Sequence, residues 1–174
     1  MVLVHRAQHA FLTARARTKR VVTDVKNNPA ALKAAMNAWP VFLASGERVR
    51  HIAPDWTSAH IELKQGRMNM NYVGTHFGGT LFSMSDPFWM ILMMHRLGKN
   101  YIVWDKAGEI DFKRPGRGTV TTEIRLDDAA VEAMRAEADA EGKSLMWFEN
   151  DIVDASGTVV ATVRKQLYAR PKNR

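Results

Sequence analysis

"NYVGTHFGGTLFSMSDPFWM", residues 71–90, is the stretch whose reading decides the fold. Gly78-Gly79 opens an apolar run that carries one carboxylate, Asp86, followed at once by Pro87. The pattern predicts a helix over 80–97 whose few polar groups are Thr80, Ser83, Ser85 and Asp86, with His95 and Arg96 at its far end. A helix that is apolar nearly all round must be buried on every side. The simplest cover is a sheet that wraps around it. Pro87 has no amide to donate to the Ser83 carbonyl, so the helix should kink near 83–86 and expose backbone polar groups beside the acid.

Three readings of Asp86 stay open at this stage. It can be a structural acceptor in the core, or the cap of a second helix starting at Pro87. It can also be a catalytic acid, base or nucleophile whose pKa is raised by apolar surroundings. Gly78 and Gly79 lie where the helix begins. Its first amides have no internal partner and suit an anion or the oxyanion of an attacked carbonyl. A tight turn that needs glycine explains the pair equally. Asp86 follows Gly78 by eight residues, about 12 Å along a helix. One carbonyl cannot reach both, so a catalytic role for both predicts a two-fold dimer in which the acid of one chain meets the glycines of the other.

Outward from this segment, 7–23 reads as a basic helix and 29–38 as a second helix with Pro29 at its first position. Residues 59–64 alternate as a half-buried strand does, and 48–56 can belong to the same strand with Pro54 at an edge or bulge. In 101–112, Ile102, Trp104, Gly108, Ile110 and Phe112 share one parity. "RPGRG", 114–118, is a turn into a strand ending near Leu126. A helix over 128–141, capped by Asp127 or Asp128 and ended by Gly142, precedes two strands joined at 154–157. One helix followed by a run of strands predicts an α+β fold with a mostly antiparallel sheet. The expected division is a basic helical N-terminal extension, 1–45, and a single domain, 46–174.

Composition narrows the function classes. The 174 residues suit one domain and contain no cysteine, which excludes disulfides, thiolate zinc sites and a cysteine nucleophile and favours a cytoplasmic setting. The formal charge is +7; residues 1–50 hold nine basic and two acidic side chains, and 51–174 hold 16 of each. The excess therefore sits entirely in the N-terminal region. It suits a soluble face or contact with a membrane surface; no nucleic-acid-binding motif accompanies it, and no nucleic acid partner is expected. No apolar stretch reaches the roughly 20 residues a membrane helix needs, and no secretory signal pattern opens the chain. The six histidines show ligand-like spacing only at His5 and His9, so no metal is expected.

Asn71, Gly74-Thr75, Phe77-Gly78-Gly79 and Asp86, seven residues after the second glycine, resemble the central-helix motif of hotdog-fold acyl-CoA thioesterases of the phenylacetyl-CoA type. Those enzymes carry Asn, Gly-Thr, His-Gly-Gly and then Asp or Glu at this spacing. "WDKAGEIDFKRPG", 104–116, and the extra helix at 128–141 are similar to a group of bacterial hotdog-domain proteins. The resemblance spans roughly residues 45–170. It implies a hotdog fold, a long helix wrapped by an antiparallel sheet, assembled as a homodimer with a dimer of dimers also open to it. It implies hydrolysis of acyl-CoA or acyl-carrier thioesters at the dimer interface. Gly78, with Gly79 beside it, would bind the thioester carbonyl, Asn71 would orient the thioester or water, and Asp86 of the other chain would act as base or nucleophile. Asp105 falls where some members keep a serine that holds the water. Phe77 replaces the family histidine, with His76 immediately before it. Arg114 and Arg117 can meet the phosphates of coenzyme A, which enters as part of the substrate and not as a cofactor. The alternative is a non-catalytic acyl-CoA or fatty-acyl binding protein, which Phe77 and Asp105 favour.

Overall fold

The structure, a computed structural model, describes residue 25 and residues 27–172; the basic helix expected over 7–23 lies outside these. Two short helices come first, α1 (Pro29–Ala38) and α2 (Pro40–Ser45). The strands β1 (Glu47–Ile52) and β2 (Ser58–Lys64) follow. Then come α3 (Gly78–Ser83) and α4 (Phe88–Leu97), β3 (Tyr101–Phe112) and β4 (Thr119–Arg125). The chain closes with α5 (Asp128–Glu141), β5 (Ser144–Asp154) and β6 (Val159–Pro171). All six strands form one antiparallel sheet in the order β1-β2-β4-β5-β6-β3. Its inner face holds α4, and the result is the hotdog fold. No helix among the described residues is long and apolar enough to cross a membrane.

Helix α4 buries Phe88, Trp89, Leu92, Met93 and Leu97, the spacing that places side chains along one face and onto its neighbour. Each such burial stabilises by about 1.5–3 kcal/mol. That exceeds the roughly 1 kcal/mol of each backbone hydrogen bond lost where the helix breaks. The break is sharper than a kink. Helix α3 stops at Ser83, and the amides of Ser85 and Asp86 both turn back to the Phe82 carbonyl before α4 starts at Phe88.

Four expectations need correction. Residues 48–56 do not share a strand with 59–64; the chain reverses at 53–57 and the two strands pair as a hairpin. No helix is expected directly after 29–38, yet Pro40 occupies the first position of α2, which its fixed φ favours. Helix α3 starts at Gly78 and not at Thr80. The shared parity in β3 fails because a bulge between Asp105 and Ala107 shifts the register. Ile110 and Phe112 pair with Val163 and Ala161 of the inner face, whereas Trp104 is outside, stacked on Tyr168. Because of this bulge, Asp105 lies opposite the buried Leu167 while Gly108 lies opposite the buried Lys165.

The two sheet edges differ. At β1, Asn37 of α1 accepts from the Val49 amide (2.8 Å) and donates to its carbonyl (3.0 Å), and Lys33 donates to the Arg50 carbonyl. That edge is covered. At β3, twelve residues long, only one side of the strand is paired.

Beneath the break, Asn150 of β5 fixes helix to sheet. It accepts from Trp89 Nε1 (2.9 Å) and donates to Ser85 Oγ and Thr122 Oγ1 (2.8 Å each). Asn150→Ala strands these buried groups and is expected to lower unfolding stability by about 1–3 kcal/mol. Urea denaturation measures this; a change below a few tenths would show that the network contributes no register.

Candidate functional site

The groups singled out in the sequence fall into two places on the chain. The first is a cavity of about 410 Å³ whose lining includes Asn71, His76, Gly78, Leu81, Phe112 and Arg114. The second is the helix break, where Asp86 and Asp105 meet a further residue, Lys165.

At the cavity, Asn71 is fully engaged by its own loop. Its Nδ2 donates to Thr75 Oγ1 (2.8 Å) and the His76 carbonyl (3.1 Å), while its Oδ1 accepts from the amides of Val73 and Thr75. Asn71 therefore shapes the loop that delivers Gly78. Arg117 donates to the Gly74 carbonyl (2.8 Å) and ties the 113–118 turn to the same loop. His76 is buried, with Nε2 against the Gly118 carbonyl (3.0 Å) and Nδ1 without a partner among the described residues. A carbonyl only accepts, so Nε2 carries the proton and Nδ1 is left as an acceptor. Burial holds the His76 pKa below its ordinary value.

The glycines have packing reasons. A Cβ on Gly78 would lie 2.7 Å from the Phe112 ring, and one on Gly79 would lie 2.4 Å from the ring of Phe77, which is half exposed. The amides of Thr80 and Leu81 both donate to the Phe77 carbonyl, and the Gly78 and Gly79 amides precede them at the helix start.

At the break, the cap reading of Asp86 fails: Pro87 occupies the N-cap of α4, with no side-chain cap bond. Nor is Asp86 enclosed. Its side chain is 46% exposed and takes a 2.5 Å hydrogen bond from Lys165 Nζ. The buried member is Lys165, 3% exposed on the inner face of β6. Its ammonium is also 3.4 Å from Asp105 Oδ1, an ion pair without hydrogen-bond geometry, and lies over the Phe82 ring. Burial raises the Asp105 pKa and the Asp86 charge adds to this, while Lys165 opposes it.

Glu47, the first residue of β1, completes the cluster from behind. It is 1% exposed, has Ser83 Oγ against Oε1, and leaves Oε2 without a partner among the described residues. Neither Lys165 nor Glu47 was singled out in the sequence. The available signal was parity: each alternates with apolar residues on a strand's buried side, Lys165 between Val163 and Leu167 and Glu47 two before Val49.

A family model described as a domain of unknown function, DUF4442, matches residues 28–169. The chain belongs to that family. Among solved structures, a Pseudomonas aeruginosa protein described as a probable thioesterase superposes with a TM-score of 0.69 at 23% identity, over 78% of this chain and 90% of that one. A Chlorobaculum tepidum protein of unknown function does so at 0.65 and 13%, over 83% and 98%. A Haemophilus influenzae thioesterase does so at 0.61 and 12%, over 84% and 93%. At these identities the likeness speaks for the fold. No curated protein matches the chain.

Burial pushes the Glu47 pKa from its ordinary value of 4.5 up to about 7. The folded value exceeds the unfolded one, so stability is full below about 4.5, falls as pH rises toward 7, and levels off above it. Glu47→Gln should remove that decline. In urea titrations the variant is expected to match wild type near pH 4 and exceed it at pH 8 by up to about 3 kcal/mol. A variant less stable than wild type at pH 8 would show that Glu47 is not a buried ionisable burden.

Proposed function

We propose that the protein hydrolyses acyl-CoA or acyl-carrier thioesters in a site built from two copies of the chain. The observation that carries this is the half-exposed Asp86 carboxylate, held by buried Lys165 at the break of the central helix, apart from the cavity of Asn71 and Gly78. In the proposed reaction, Asp86 removes a proton from water as its oxygen attacks the thioester carbonyl carbon. The Gly78 amide, with Gly79 beside it, donates to the resulting oxyanion. The C–S bond then breaks and the thiol leaves with the proton, yielding carboxylic acid and free coenzyme A or carrier. Lys165 keeps Asp86 aimed, and Arg114 at the cavity is available to the phosphates of coenzyme A.

The two-chain arrangement is supported by the free β3 edge. A two-fold axis across the middle of β3 carries the 105 end of one copy toward the 112 end of its partner. Phe112 covers Gly78, and Asp105 neighbours Lys165 and Asp86. The partner's cavity then approaches this chain's acid. Two structural relatives are described as thioesterases, one of them as probable, which supports thioester chemistry.

One observation favours a second reading, a non-catalytic acyl-CoA binder: both polar atoms of Asn71 are spent within its own loop, leaving none to orient water. Thiol release from short, long and aromatic acyl-CoAs separates the two. Turnover by wild type that falls about 100-fold or more in Asp86→Asn, with the fold kept, is expected of the hydrolase. Saturable binding without turnover in either would establish the binder.

A further inference from the structure

Glu47, beside the helix break, takes no part in the proposed reaction. Its surroundings define its protonation. Ser83 Oγ stands against Glu47 Oε1 and also 3.1 Å from the Thr80 carbonyl. A hydroxyl has one proton, and a carbonyl can only accept. Both contacts are satisfied together when Ser83 donates to Thr80 and a protonated Glu47 donates to Ser83. Ser45, also beside Glu47, likewise directs its hydroxyl to the Val41 carbonyl (2.7 Å).

Among the described residues, no cation compensates an ionised Glu47. Helix α2 and helix α3 contain no charged residue. On β2, the residue opposite Glu47 is the apolar Leu63, while Glu62 pairs with Arg50 and Lys64 is exposed. Lys33 of α1 is spent on the Arg50 carbonyl. The break contributes Asp86, whose negative charge itself disfavours ionisation of Glu47, and Lys165 beyond it is held by Asp86 and Asp105. An acid kept where an apolar side chain would pack more cheaply, behind the reactive carboxylate, points to a task beyond stability.

We infer that Glu47 is a positioning residue for Asp86: as a neutral acid it holds Ser83, the last residue of α3, and so fixes the break that presents Asp86 to Lys165 and to substrate. Loss of its proton reverses the bond, so that Ser83 must donate to Glu47 and release the Thr80 carbonyl, and it sets a second negative charge behind Asp86. The site then works on the acidic side of this ionisation and weakens on the alkaline side. The inference rests on Asp86 being the working group of the reading above.

Two measurements on the full-length protein separate failure of that reading from failure of this one. The first needs no activity: the side-chain carboxyl carbon of Asp86 is followed by ¹³C NMR through pH 4–9 in wild type and Glu47→Gln. A second inflection near the Glu47 ionisation, at about 7, is expected in wild type and absent in the variant. The second is the pH profile of acyl-CoA hydrolysis. The wild-type kcat should fall severalfold across the same window with KM held, and Glu47→Gln should lose that fall. Glu47→Ala, which cannot bond Ser83, should lower kcat about tenfold or more at every pH. Identical Asp86 titration in wild type and Glu47→Gln overturns the inference, as does an alkaline fall that persists in Glu47→Gln. If no variant hydrolyses any acyl-CoA, the proposed reaction fails and the titration alone decides the role of Glu47.

Discussion

The ammonium of Lys165, buried between the carboxylates of Asp86 and Asp105, is the interaction on which the arrangement of this protein turns. At roughly 3 Å and an effective dielectric near 20, each contact is worth on the order of 5 kcal/mol of attraction. Desolvating the ammonium costs several kcal/mol in return. The balance leaves little net stability, so orientation is what the cluster secures. It draws together β6, which carries Lys165, the edge strand β3, whose bulge turns Asp105 to the same side, and the helix break that carries Asp86. Two carboxylates share one ammonium, and Asp86 is the half-exposed member.

That geometry requires a broken helix. Pro87 removes one hydrogen bond, and apolar burial along α4 holds the second half in place regardless. Asn150 fixes the rotation of this half through Trp89 and Ser85, and Glu47 holds the end of the first half through Ser83. Asp86 thus projects from a short segment anchored by polar contacts on both sides. Both anchors are buried, but they differ in cost: Asn150 has its polar atoms partnered, whereas Glu47 is ionisable and has one oxygen without a partner among the described residues.

The parts legible in the sequence were those set by local rules. Apolar residues with one proline gave an enclosed, interrupted helix. The Asp127 cap was readable too, and its side chain accepts from the Ala130 amide. So was the hairpin at 154–157, where Gly157 has φ +83°. The spacing from Gly78 to Asp86 separates the two groups, and Gly78 lines the cavity whereas Asp86 pairs with Lys165 at the break. Illegible were features set by pairing. The bulge in β3 reverses which residues face inward, and nothing in 101–112 alone announces it. Two of the three readings of Asp86 put it among apolar neighbours, yet its neighbour in space is a lysine 79 residues away. Glu47 was not singled out, and its inward side is set by the pairing of its strand with β2.

The central claim is that Asp86 of one chain works with Asn71 and Gly78 of another, and subunit mixing tests it most directly. Asp86→Asn and Asn71→Ala, each inactive alone, are unfolded together and refolded. Random pairing makes half of the dimers mixed, each with one intact site of two, so about a quarter of wild-type thioesterase activity should return. A mixture as inactive as its two components would place the whole site within a single chain and contradict the shared arrangement.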